Sequence, residues 1–206
     1  NSYATKSDEL SVYEKVKLFC INSKREMKNN HIDSENESED LIYEEKYNNS
    51  MGANQVGVLP VDYKNMRSDA EYTNDLKEII SKIFHGTELS ETSDFLMKEL
   101  NRCDYSCAKM FTVYNNTIVT MNIITADLKD SDIRIRFDDE SKLLIDFEYS
   151  SETRLVGIKN YKATDELIGI VSDYYSQYGF LDTDIFVQND YEESFENLCF
   201  GVYCSI

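Results

Sequence analysis

Residues 110–158 constrain the fold more than any other stretch. They hold four short runs rich in β-branched and aromatic residues, at 110–119, 132–137, 143–149 and 154–158. Polar turn clusters interrupt or separate them at Asn115-Asn116, 127–131, 138–142 and 150–153. That pattern predicts an antiparallel β-meander. A five-residue loop at 138–142 places Phe137 opposite Leu143, Ile135 opposite Ile145 and Ile133 opposite Phe147. Arg134 then faces Asp146 on the other side. One face is apolar and the other pairs opposite charges, as cross-strand neighbours prefer.

Helical patterns flank this meander. In 7–28, Val12, Tyr13, Val16, Phe19 and Cys20 form one apolar stripe. Asp8 and Glu9 lie at its start and Lys24, Arg25 and Lys28 at its end, matching the helix dipole. Ser68 and Glu71 read as a capping box. Tyr72, Leu76, Ile79, Ile80 and Ile83 follow as a helical stripe, with Gly86 as the stop. A third helix starts near Ser90 or Ser93, its stripe being Leu96, Leu100, Cys103 and Cys107. Thr164 caps a fourth, with Leu167, Val171, Tyr174 and Tyr178 on one face and Gly179 at its end. Residues 56–59 form a short edge strand beside Pro60, and 184–188 and 198–203 two last strands. The expected fold class is α+β: an N-terminal helix plus further helices packed on the antiparallel meander. Residues 1–66 carry the N-terminal helix and a variable loop and 67–206 the body, or the whole chain is one domain.

Charge narrows the partners. Against 21 basic residues stand 39 acidic ones, a formal charge of −18. Such a surface repels phosphate backbones and anionic lipid, which argues against nucleic acid and membrane surfaces. Acidic residues crowd 33–40, the pattern of a solvated loop. No window approaches ~18 consecutive apolar residues, so no residue present is expected to contact the bilayer core. The sequence begins at Asn1 rather than Met. The expectation is an upstream segment removed: a signal peptide, a membrane segment or a trimmed stretch.

Catalytic signatures are scarce. The two histidines are His31, in the acidic loop, and His85, in the last turn of a helix. Neither stands in a nucleophile motif, and phosphate-cradling glycine loops and the HExxH zinc motif are absent. Asp127, Asp130 and Asp132 share a turn but lack the spacing of a calcium loop. The reading is therefore non-enzymatic, with binding carried by carboxylates and tyrosines. Tyr174, Tyr175 and Tyr178 crowd one helix; either all three serve binding or Tyr174 and Tyr178 are core and Tyr175 exposed.

The five cysteines are Cys20, Cys103, Cys107, Cys199 and Cys204. At i and i+4 on a helix, Cys103 and Cys107 share a face, too far apart for an unstrained disulfide but placed to hold one metal ion. The expected site is structural zinc on Cys20, Cys103 and Cys107. Its fourth ligand would be Asp104, water, Cys199 or Cys204. One or two disulfides, with Cys199 and Cys204 among the partners, and five ordinary thiols are the alternatives.

A leading helix with an apolar stripe, a long variable loop and an antiparallel meander with late cysteines resemble the soluble headpiece of a type IV pilin, or of a Gram-positive minor pilin. The likeness covers 7–20 and 110–158. It implies a bacterial, extracellular, cell-surface structural protein whose partners are other protein subunits. It also implies a hydrophobic helical segment upstream of Asn1. The helices in 68–107 and 164–178 exceed a simple pilin head. The rival reading is an acidic binding or immunity protein that neutralises a basic partner. A third is a secreted protein of other role.

Overall fold

The computed structural model describes residues 10–30, 56–61, 66–87, 90–114, 117–128, 131–151, 162–192 and 195–203. The acidic stretch 33–40, His31, Asp130, the run 154–158 and Cys204 lie outside them. The fold is α+β, with four α-helices and a seven-stranded antiparallel sheet among the described residues. The helices are α1 (Val12–Asn30), α2 (Asp69–Phe84), α3 (Ser90–Glu99) and α4 (Lys162–Ser176). The strands are β1 (Val56–Leu59), β2 (Cys103–Tyr114), β3 (Thr117–Leu128), β4 (Ile133–Asp138), β5 (Leu144–Ser151), β6 (Ile185–Glu192) and β7 (Phe195–Val202). Their order across the sheet is β1-β2-β3-β4-β5-β7-β6.

Helix α2 forms as its sequence dictates. The Ser68 hydroxyl accepts from the Glu71 amide, and the Glu71 carboxylate accepts from the Ser68 amide at 2.9 Å. Two otherwise orphaned donors are thereby satisfied. Tyr72, Leu76, Ile79, Ile80 and Ile83 are all buried. His85 is the C-cap, and Gly86 follows at φ 72, the left-handed conformation glycine takes at least cost. Helix α1 has a similar start at Ser11, whose amide donates to Glu14 Oε2 at 2.8 Å. Thr164 lies inside α4, which begins at Lys162, so it is not the cap.

The inner face of the sheet is apolar. Ile133, Ile135 and Phe137 of β4 and Phe147 and Tyr149 of β5 are buried, as are Leu198 and Phe200 of β7. Phe147 stacks on Phe200 with centroids 4.9 Å apart. Two α2 residues meet this face: Tyr72 beside Phe137 and Phe84 beside Phe200. The outer face carries charge. Arg134 bridges Asp127 at 3.2 Å and Glu148 at 3.5 Å, and Arg136 grips Asp146 with Nε at 2.9 Å.

The β4–β5 register differs from the expected one by two residues. Ile135 faces Phe147, Ile133 faces Tyr149, and Arg134 faces Glu148, while Asp146 belongs to Arg136. The cause lies in the turn. Asp138 N–H donates to the Leu143 carbonyl, Lys142 takes φ 62, and a bulge falls between Arg136 and Phe137. Over 133–136 the shift of two preserves the side of each residue, since side chains alternate with period two, while beyond the bulge Phe137 pairs with Leu144, one residue from the expected Leu143.

The bulged corner is held by α4. Tyr174 Oη accepts from the Leu144 amide at 3.0 Å, and Tyr175 Oη donates to the Leu144 carbonyl at 2.9 Å. Tyr174 and Tyr175 are both buried, and Tyr178 is half-buried. Tyr174 is core and Tyr178 packs against the core, as one of the two expectations had it, while the exposure expected of Tyr175 is corrected. Helix α4 contacts α2 on one side and β6 on another, so its covered arc is wider than one stripe.

A larger correction concerns the cysteines. Helix α3 ends at Glu99, one turn of 3-10 helix follows at Leu100–Arg102, and β2 begins at Cys103. Residues 103–107 alternate half-buried and exposed, with Cys103, Tyr105 and Cys107 inward and Asp104 and Ser106 outward. That period-two signal was present in the sequence. Leu96 and Leu100 set a helical phase that Cys103 and Cys107 match by coincidence.

Candidate functional site

The β4–β5 turn gathers more charged contacts than any other described segment. Helix α1 reaches it through Lys15 Nζ, 3.3 Å from Glu140 Oε2. Helix α2 reaches it through Asp75, whose Oδ2 lies 2.5 Å from Arg67 Nη1 and 2.6 Å from Lys142 Nζ. Arg67 also holds Asp139 at 2.9 Å and lies over the Tyr72 ring. Within the turn, Asp138 accepts from the Ser141 amide and hydroxyl. These contacts fasten two helices to the hairpin, and burial pushes the Asp138 carboxyl above the usual carboxylate range.

Asp75 shows the electrostatics. Burial pushes its carboxyl upward, but hydrogen bonds from Arg67 and Lys142 outweigh that and hold it below the usual value of 3.8. A carboxylate with a depressed folded pKa stabilises the fold above the unfolded pKa, and that contribution is lost as pH falls through the folded one. Asp75→Asn is expected to cost about 1–2 kcal/mol at pH 7, the scale of hydrogen bonds to charged groups. It should also flatten the loss of stability below about pH 4. Urea midpoints of both proteins at pH 7, 5, 4 and 3 check this. An acid slope identical to that of the parent rules it out.

The cysteines scatter across the fold. Cys103 and Cys107 stand four residues apart on one strand, a Cα separation of about 13 Å. Two thiolates cannot share an ion whose bonds are about 2.3 Å across that gap. The helical geometry behind a zinc site on Cys20, Cys103 and Cys107 is therefore replaced by strand geometry. Among the described residues, no three His, Cys, Asp or Glu side chains stand together where they could hold a metal. Burial raises the Cys103 thiol to about 11 and pushes Cys107 up as well, so both are protonated at neutral pH. Cys20 lies elsewhere, with Sγ 3.0 Å from the Tyr203 carbonyl oxygen. Cys199 is on β7, near Gln188.

The remaining candidates have structural partners. His85 caps α2 and is exposed. Asp127 and Asp132 line a shallow groove with Arg134, Glu148 and Ser150. Arg134 lies between Asp127 and Glu148 there and offsets part of the groove's negative charge. Among the described residues, no helix is long and apolar enough to cross a membrane.

No family model matches the chain, and no curated protein or solved structure matches it.

Proposed function

We propose that the chain is a non-enzymatic structural protein of a bacterial cell surface, a subunit of a protein assembly in the manner of a type IV or minor pilin headpiece. The observation that supports this most is the seating of α1. Its stripe residues Val16 and Phe19 are buried in the common core. Its polar side chains grip three separate parts of the body: Lys15 at Glu140, Lys17 at Asp184, and Asn22 at Thr112 with a bond of 2.7 Å. A leading helix fastened along its length passes force to the body without swivelling. On this reading α1 joins the body to its assembly, and it contacts β1, β2 and β3. The formal charge of −18 favours the second reading, an acidic binder of a basic protein.

Fractionation of the source cells tests the choice. Immunoblotting should find the chain in material sheared from the cell surface, co-sedimenting with filament subunits. Recovery from the cytosol alone, with saturable binding to one basic protein, overturns the assembly reading in favour of the second. Turnover of any substrate that is lost in His85→Ala overturns the non-enzymatic part.

A further inference from the structure

We infer that Asp138 makes the seating of α1 proton-sensitive, so that the helix docks more firmly in mildly acidic solution than at neutral pH. The inference is independent of the proposed assembly role.

The geometry begins with the side of the sheet on which α1 lies. Asn22 of α1 donates to Thr112 Oγ1 at 2.7 Å, so Thr112 points toward the helix. Thr112 pairs with Val119, and Val119, Met121 and Ile123 alternate onto one side of β3. Ile123 in turn pairs with Asp138, the last residue of β4. Asp138 therefore faces the α1 side. It is 4% exposed, and Lys15 of α1 is 8% exposed. An acid and a base are thus enclosed where a helix meets the sheet. Lys15 Nζ bridges Glu140 instead of Asp138, at 3.3 Å. Asp138 takes its two hydrogen bonds on one oxygen, from the Ser141 amide at 2.8 Å and the Ser141 hydroxyl at 2.6 Å.

The other charges at this junction are engaged elsewhere. In the turn, Asp139 is held by Arg67 at 2.9 Å and Lys142 by Asp75 at 2.6 Å. On β4, Arg136 is taken by Asp146. Strand β3 contributes the uncharged Ile123, and the Leu143 carbonyl before β5 accepts the Asp138 N–H. Burial outweighs the Ser141 bonds and the Lys15 charge, so the carboxyl sits above its ordinary value. The seated helix adds to that burial, and protonation removes its cost. With α1 lifted, the carboxyl meets water and titrates in the ordinary range, about 3.9. Between the two values the seated state binds more protons. Seating therefore has its full strength below the ordinary value and weakens as pH rises through the seated one.

A second acid of the α1 seat titrates in the opposite sense. Burial pushes the Asp184 carboxyl up, but hydrogen bonds from Lys17 and the Leu181 amide outweigh that and hold it below the usual value of 3.8. It stays ionised while Asp138 takes its proton, and the Lys17 grip is lost only in stronger acid. The Lys15–Glu140 bridge adds little, because the Glu140 side chain is 78% exposed and screened by water. The seat is therefore firmest in the mildly acidic range, after Asp138 is neutralised and before Asp184 is.

The test is amide hydrogen exchange on the full chain, read as protection factors over residues 15–20 of α1, with Ile135 and Phe147 as sheet references. In the parent, α1 protection should rise several-fold relative to the sheet as pH falls from about 7 to about 4.5. Asp138→Asn keeps an acceptor for Ser141 and never ionises. Its α1 amides should be better protected than the parent's at neutral pH and should not change across the range. Lys15→Met removes the cation that eases the Asp138 charge, so its pH dependence should be steeper than the parent's. A purely packing role for either residue moves neither slope. Protection of α1 that is flat or falling in the parent, or a rise undiminished in Asp138→Asn, overturns the inference. An equal rise at Ile135 and Phe147 overturns it too, since the proton then acts on global unfolding and not on the helix.

Discussion

Phe137→Ala is expected to destabilise the protein by about 3–5 kcal/mol, the range for emptying a fully buried aromatic site. The ring is wholly inaccessible to solvent. Its strand neighbours are Ile124 on β3 and Leu144 on β5, and above it lies the Tyr72 ring of α2, centroids 6.5 Å apart. Two neighbouring strands and a helix thus border one side chain. Collapse into the vacated space is hindered, because the bulge beside Phe137 is already fixed by the bonds from Tyr174 and Tyr175 to Leu144. The cavity therefore persists and the cost falls in the upper part of the range. Urea unfolding followed by far-ultraviolet circular dichroism measures it. A loss under about 1 kcal/mol means that the site relaxes, and the packing described here is wrong.

Gly201→Ala is expected to cost about 2–3 kcal/mol, through crowding and not through lost contact. A Cβ at this position falls 2.4 Å from the Ile145 carbonyl oxygen and 2.8 Å from the Asp146 Cβ. These are atoms of the neighbouring strand, so no flexible side-chain end can swing away. The β5–β7 ladder must open locally, since Gly201 pairs directly with Asp146. Glycine inside a strand marks this kind of close approach. Amide exchange at Asp146 and Phe200 should accelerate together with the fall in urea midpoint. Unchanged stability and exchange would show that the strands are not so close.

Much of the helical half was readable before any coordinates. The capping box at Ser68 and Glu71 and the stripe from Tyr72 to Ile83 are local features, governed by contacts three and four residues apart. The side assignment of β4 and β5 was readable for the same reason, since strand alternation is local. Cys103 to Cys107 were misread because two periods overlapped there. Cys-Asp-Tyr-Ser-Cys alternates as a strand, yet its cysteines continue the phase of Leu96 and Leu100. A short segment satisfying both templates is decided by its neighbours, here the twelve-residue β3 strand pairing along its whole length.

The sequence by itself determined that the chain has helices, where α2 starts and stops, and which side of each hairpin strand is apolar. Those properties depend on residues close together along the backbone. Only the tertiary structure decided the two-residue register shift, because the turn at 138–142 answers to Arg67 and Asp75, far away in sequence. Only it decided that β7 inserts between β5 and β6, because strand order depends on which edge is open when the last hairpin closes. It alone brought Cys20 beside the Tyr203 carbonyl, a pairing 183 residues apart along the chain. No local pattern reports such a contact, since its partners meet only when α1 and β7 pack against the same core.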